Sequence, residues 1–247
     1  MIRAFALALQ LLTRLPAPSL TTPPQPRELG LSVLFFPVVG LLIGGLLAGM
    51  HTVFWAVDPG VLAALMLIVW VGLTGGLHLD GLADVADAWI GGQGDRERTL
   101  AIMKDPRSGP IAIVVVMLLL LAKFAALQAL LVGEAFWLLW LAPVLGRTVM
   151  VLLLMTTPYV RPGGLGSPYA RYLPRWSCGG LALLVVVATV ALLGESGGVL
   201  LAVLGISFLG LRQSLMTRLG GTTGDVLGAV CELTEMMVLL VPALLIN

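Results

Sequence analysis

Pro110–Val132 reads PIAIVVVMLLLLAKFAALQALLV, with Lys123 as its one charged residue. A helix of about 20 apolar residues matches the hydrocarbon thickness of a bilayer, so this stretch is a transmembrane helix and sets the fold class. Similar runs recur near 31–50, 61–79, 135–155, 179–194, 198–211 and 226–245. Those at 179–194 and 198–211 are short for a crossing and are expected to be tilted, broken or buried against each other, which leaves six spans as an alternative to seven. Composition agrees. Of 247 residues, 59% are hydrophobic and 11% charged, with a mean hydropathy of +1.04, whereas soluble domains carry about 25% charged residues. The expected fold is all-α, a polytopic helix bundle forming one integral-membrane domain over 1–247. Residues 1–30 are its interfacial segment and proline-rich linker, and 31–247 the transmembrane bundle.

At the N-terminus, Arg3 precedes an apolar run that Arg14 interrupts and Pro16, Pro18, Pro23, Pro24 and Pro26 follow. Arg3, Gln10 and Arg14 share one helical face, opposite Phe5, Leu9 and Leu12. That is the pattern of an interfacial amphipathic helix kept in the mature chain, not of a signal peptide. Gly40, Gly44 and Gly49 put small residues at packing intervals on the first span. Such faces also suit a homo-oligomer. Trp55, Trp137, Trp140 and Trp176 fall at span ends, as in an interfacial belt.

Basic residues set the orientation. Arg3, Arg14 and Arg27 precede the first span; Arg96, Arg98, Lys104 and Arg107 follow the second; Arg161, Arg171 and Arg175 follow the fourth; Arg212 and Arg218 follow the sixth. The alternate connections, around Asp58, Glu134 and Glu195, hold no Lys or Arg. By the positive-inside rule the N-terminus and every polar loop of any size are cytoplasmic. A net charge of +1 gives no ground for nucleic-acid binding. Cys178 and Cys231 have neither redox nor metal spacing and read as small apolar packing. Lys123, near mid-span, calls for a partner within the bundle; Glu232 or Glu235 would serve.

The chemistry is concentrated in Gly75-Gly76-Leu77-His78-Leu79-Asp80-Gly81-Leu82-Ala83-Asp84-Val85-Ala86-Asp87. Asp80, Asp84 and Asp87 follow i, i+4, i+7 spacing and so share one helix face. A solvated juxtamembrane helix would also show this pattern. The alternative is a face that gathers a divalent cation, because three like charges repel unless something positive lies among them. His78 is off that face, placed to bond the backbone at the helix start or to touch a substrate. An echo follows later: Gly221 precedes Asp225 by four, as Gly76 precedes Asp80, and Asp225 to Glu232 spans seven residues, as Asp80 to Asp87 does. Carboxylates with Lys, Arg and glycine amides nearby suit a metal–diphosphate substrate. Spacing alone does not separate phosphoryl transfer from prenyl transfer.

The Gly75–Asp87 stretch resembles the signature of the cobalamin-5′-phosphate synthase family, the adenosylcobinamide-GDP ribazoletransferases. Thr13–Pro18, Phe35–Gly40, Ile102–Asp105, Ala142-Pro143 with Gly146-Arg147, Arg161–Gly166 and Gly220–Asp225 resemble further family motifs in the expected order, so the likeness covers essentially the whole chain. It departs at Pro106, where the family usually has Ser, and at Ala88, often Gly. The resemblance implies the last joining step of coenzyme B12 assembly. There α-ribazole, or its 5′-phosphate, displaces GMP from adenosylcobinamide-GDP with Mg²⁺ at the cytoplasmic face of the inner membrane. On this chain it implies Asp80, Asp84, Asp87 and Asp225 as catalytic residues that hold Mg²⁺, with Glu232 and Glu235 completing the metal site or supplying the base. It also implies His78, Lys104, Arg107, Arg147, Arg161, Gly221 and Thr222 as substrate contacts. The nucleotide-alcohol phosphotransferases of membranes also use an Asp-Gly helix face but usually follow it with Ala-Arg, where this chain has Ala83-Asp84. A transporter would need polar residues through the midplane, and here most charges cluster toward one side.

Overall fold

Inside a bilayer every backbone polar group must be satisfied within the chain, which leaves helices or closed barrels as the means of crossing, and this chain uses helices. The structure, a computed structural model, describes residues 1–18 and 22–244. Residues 19–21 of the proline-rich linker and 245–247, which include the end of the last expected span, lie outside the described residues. Among the described residues there is no β-strand, only one isolated bridge between Tyr159 and Thr222. The helices are α1 (Ile2–Leu12), α2 (Pro26–Ser32), α3 (Phe36–Val53) after a 3₁₀ turn at Val33–Phe35, α4 (Pro59–Thr74), α5 (Leu77–Gly91), α6 (Arg96–Ile102), α7 (Pro110–Val132), α8 (Leu138–Thr156), α9 (Ser167–Arg171), α10 (Arg175–Leu193), α11 (Glu195–Leu219) and α12 (Gly224–Ala243). Pro26, Pro59 and Pro110 stand in the first turns of α2, α4 and α7, where the missing N–H costs nothing.

Among the described residues six stretches are long and apolar enough to cross a membrane, seven if α4 and α5 count as one bent crossing. Two expectations change. The span expected over 61–79 stops at Thr74: Gly75 and Gly76 take φ of +63° and +70°, which glycine tolerates, and α5 leaves at 87° to α4. The two runs expected to be short are 19 and 25 residues long. Arg212 and Arg218, expected in a loop, continue α11: Arg212 donates to the Thr156 carbonyl, and Arg218 reaches the Trp89 carbonyl with its guanidinium over the Trp89 ring. Long basic side chains can thus extend an apolar helix beyond what hydropathy marks.

Close helix contact rests on glycine where a methyl would not fit. A Cβ at Gly40 would lie 2.4 Å from the Pro143 carbonyl oxygen, and one at Gly44 2.6 Å from Trp140 Cα, so α3 and α8 pack backbone to backbone. Gly49 meets nothing comparable. Two of the three glycines are therefore used inside the bundle and are not free for an oligomer contact. Helix α1 packs on α2 and α3, with Arg3 paired to Glu28 at 2.8 Å.

Candidate active site

The site is set by how α5 begins. The Arg14 N–H donates to the Leu73 carbonyl, and the Arg14 side chain lies over Gly75 so closely that a Cβ there would be 2.2 Å from its Nε. Past the double-glycine turn, α5 runs against α12. A Cβ at Gly81 would lie 2.6 Å from the Asp225 carbonyl oxygen, and one at Gly228 3.1 Å from His78 Cα. Residue 81 opposite 225 and 78 opposite 228 make the helices antiparallel, and both Asp80 and Asp225 line one cavity where they meet. Beyond Gly81, α5 projects past the first turn of α12 and follows α7. There the Asp87 carboxylate accepts from the Gly109 N–H at 2.5 Å and the Ala112 N–H at 2.9 Å. Gly109 has no side chain with which to cap α7, and Asp87 caps it from another helix.

Opposite the aspartates stands Arg161, on the segment between α8 and α9. This segment is tied down by its backbone: the Val160 N–H donates to the Thr222 carbonyl at 2.9 Å, and the Thr222 N–H to the Pro158 carbonyl at 2.8 Å. A Cβ at Gly221 would lie 2.1 Å from the Pro158 oxygen. Gly221 and Thr222, both buried, therefore seat Arg161 and do not themselves line the cavity. Arg161 Nη1 lies 2.7 Å from Asp225 Oδ2, and its Nη2 donates to the Met103 carbonyl. Asp225 Oδ2 is buried yet accepts no well-directed hydrogen bond.

The local charge does not balance. Asp80, Asp84, Asp87 and Asp225 act on one another, with Arg161 the cation that opposes them at Asp84. Partial burial, then the Asp80 and Asp225 charges, push the Asp84 carboxyl up to about 6. Among the described residues no three His, Cys, Asp or Glu side chains converge tightly enough to form a ready-made ion site.

Other residues singled out in the sequence lie elsewhere. Glu232 and Glu235 sit deeper on α12 in a buried cluster: Lys123 Nζ reaches Glu232 at 2.6 Å and Glu235 at 2.5 Å, and Arg147 binds Glu235. Lys123 also lies 4.6 Å over the Trp70 ring. The midspan lysine thus has both of the carboxylates considered for it. Arg147 is fully buried and does not line the cavity. Arg107 forms a bidentate contact with its neighbour Asp105 and is largely exposed; Lys104 is exposed. His78 lines the cavity. The aromatic lining from Phe36, Tyr159 and Tyr169 carried no sequence signal as a site. The first two fall within or beside motifs quoted above, but an aromatic residue in an apolar chain reads as core.

Fold and site together define a multi-pass helical membrane protein with an acidic, arginine-braced cavity at one end of its bundle. Residues 4–243 match the family described as Cobalamin-5-phosphate synthase, and the chain belongs to that family. Proteins named "Adenosylcobinamide-GDP ribazoletransferase" are close relatives. That of Pseudomonas syringae pv. syringae is 54% identical over 98% of this chain and 99% of its own length. That of Pseudomonas fluorescens is 54% identical over 95% and 97%, and that of Pseudomonas aeruginosa 52% identical over 98% and 98%. No solved structure matches the chain.

Proposed function

We propose that this chain carries out the final joining step of adenosylcobalamin synthesis. It moves the adenosylcobinamide-phosphate moiety of adenosylcobinamide-GDP onto α-ribazole or its 5′-phosphate and releases GMP. The observation that carries this is the cavity between α5 and α12, in which Asp80 and Asp225 face Arg161, in a chain about 54% identical over nearly its whole length to proteins of that name.

In the reaction a ribose ring hydroxyl of the acceptor, one left free in both α-ribazole and its 5′-phosphate, forms a bond through its oxygen to the phosphorus on the cobinamide side. The bond from that phosphorus to the bridging oxygen breaks, GMP departs with the bridging oxygen, and the hydroxyl proton passes to a base. Such a transfer needs positioning and charge stabilisation more than covalent help from the protein. Arg161, held by Thr222 and Asp225, is set to face phosphate oxygens with a planar donor fork. Asp84, lifted to about 6, is suited to accept the proton near neutrality.

The residues fit Mg²⁺. All the donors are carboxylate oxygens, their negative charge outweighs the positive charge of Arg161, and Asp225 Oδ2, though 2.7 Å from Arg161 Nη1, accepts no well-directed hydrogen bond. Asp80 and Asp225, which line the cavity, would hold the ion, with Asp84 beside them, while Asp87 has both oxygens engaged by the Gly109 and Ala112 N–H groups. Glu232 and Glu235, engaged by Lys123 and Arg147, drop out of the set. The ion, when bound, neutralises diphosphate charge. Mg²⁺ usually keeps several waters and binds through one or two carboxylates plus substrate phosphates, so a closed protein cage is not required.

The site faces the cytoplasm across the inner membrane in this reading. Support comes from Arg14, Arg96, Arg161 and Arg218, one from each basic segment, which all make contacts around α5, α6 and the start of α12. Purified protein in detergent should release GMP from adenosylcobinamide-GDP only when α-ribazole or its phosphate and Mg²⁺ are both present. Absence of GMP release, or release unaffected by a chelator, would overturn the reading or its metal respectively.

A further inference from the structure

We propose that the apolar wall of the cavity seats the flat, methyl-bearing base of the acceptor nucleoside, and that His78 is the buried polar contact that recognises it. This rests on the transferase reading above.

The cavity has two kinds of lining. Asp80, Asp225 and Arg161 are charged, and Phe36, Met150, Leu154, Tyr169 and Leu227 supply apolar wall. The Phe36 and Tyr169 rings stand 6.4 Å apart at 47°, an open tilted pair forming one side of the wall. The space amounts to about 290 Å³, near the lower bound for pockets that enclose small ligands, ~300 Å³. That volume suits a nucleoside and excludes a corrin macrocycle. Of the two substrates, the part that fits is therefore the acceptor, with its ribose toward the aspartates and its base toward the apolar wall. The corrinoid remains outside, presenting its diphosphate to the charged residues.

His78 supplies the specificity. It is 2% exposed, lines the cavity, and neither ring nitrogen has a hydrogen-bond partner. A buried polar group left unpaired is costly, so it marks a place where a partner belongs. Its backbone cannot back away, because Gly228 on α12 packs directly against it. The base of α-ribazole is a dimethylated benzimidazole with one free ring nitrogen, an acceptor matched to a single imidazole N–H. A purine would bring additional donors and acceptors that this wall leaves unsatisfied.

The test is equilibrium binding of α-ribazole to the whole protein in detergent, without adenosylcobinamide-GDP, beside steady-state kinetics. Leu154→Trp, which fills the space at the apolar wall, should weaken α-ribazole binding by at least about tenfold and raise the acceptor KM while the adenosylcobinamide-GDP KM stays within about threefold. His78→Phe should raise the acceptor KM by about tenfold with kcat little changed, and His78→Gln, which keeps an N–H donor, should recover part of it. Wild-type protein should prefer α-ribazole over adenosine by about 100-fold or more. An unchanged acceptor KM in Leu154→Trp, with GMP still released, would overturn the pocket and leave the transferase reading intact. α-Ribazole binding that Leu154→Trp abolishes, in a protein that releases no GMP, would leave the pocket standing and remove the reading. Should Leu154→Trp lose both substrates together, Leu154→Ala decides: weaker acceptor binding with adenosylcobinamide-GDP unaffected supports the pocket, and equal losses sink it.

Discussion

Two clusters of carboxylates share helix α12, and their charges are accounted for in opposite ways. Three turns into the helix, Glu232 and Glu235 meet Lys123 and Arg147, so two negative charges face two positive ones in a buried, self-sufficient group. At its first turn Asp225 joins Asp80, Asp84 and Asp87, and Arg161 pairs with Asp225 and is the cation that acts against the others at Asp84. The inner cluster ties α7, α8 and α12 together and carries Asp225 in register with α5. The outer one keeps a surplus of negative charge that only something from outside can neutralise. Carboxylates seven residues apart on one helix thus serve structure at one end and, in this reading, ligand binding at the other.

The contrast predicts different failures. Asp80→Asn or Asp225→Asn removes an oxygen donor from the unbalanced cluster without touching the inner one. Turnover should fall by roughly 10²–10³-fold, the scale of losing one charge-stabilising group, with the helical content and melting temperature in detergent preserved. GMP release at near wild-type rate in both variants would break the comparison. Chelating Mg²⁺ from wild-type protein should abolish turnover to a similar degree, and it should leave the Lys123 cluster's contribution to stability unaltered.

Lys123→Met acts on the balanced cluster. It strands Glu232 as a buried charge without its cation, and breaking such a group costs about 3–5 kcal/mol. Denaturant unfolding in detergent should show that loss. Lys123→Met combined with Glu232→Gln should regain most of it, because the pair vanishes together and Arg147 still holds Glu235. A single variant as stable as wild type would mean that the cluster is not the bundle's staple.

Much of this could be read from residues, and the remainder has physical reasons for being hidden. Hydropathy located the crossings, and a lysine near the middle of 110–132 announced a buried carboxylate partner, because an unpaired charge there is prohibitive. The Asp80, Asp84, Asp87 face followed from helical period. The period could not say that Asp87 spends both oxygens on Gly109 and Ala112, since that depends on α7 ending a loop 22 residues away beside α5. Nor could it assign Glu232 and Glu235: they continue the spacing of Asp225 but lie too deep in the bundle to join it. Arg147 is implied as a substrate contact by the family resemblance, and only packing shows it fully buried. The 87° bend needed two consecutive glycines to adopt positive φ, which composition permits but does not demand.

The smallest expected effect is the one with an unusual sign. Asp84 lies on the part of α5 beyond Gly81, and its carboxyl, pushed up from 3.8 to about 6, binds a proton more tightly in the folded protein than in the unfolded chain. Its stabilising contribution is therefore complete below pH 3.8 and is lost as the pH rises through 6, so at pH 7.5 the ionised group weighs against the fold. Solvent screens a partly exposed carboxylate, so the cost is only about 1 kcal/mol. Asp84→Asn should then melt about 2–4 °C above wild type at pH 7.5 without metal. That gap should close as the pH falls toward 4, and adding Mg²⁺ at pH 7.5 should narrow it by neutralising the wild-type cluster. The same variant should have lost turnover, being steadier and inactive for one reason: the charge that repels its neighbours is the charge that the reaction uses. Equal melting of the two proteins at pH 7.5, or a less stable variant, would show that Asp84 is already balanced and that the outer cluster is no different in kind from the inner one.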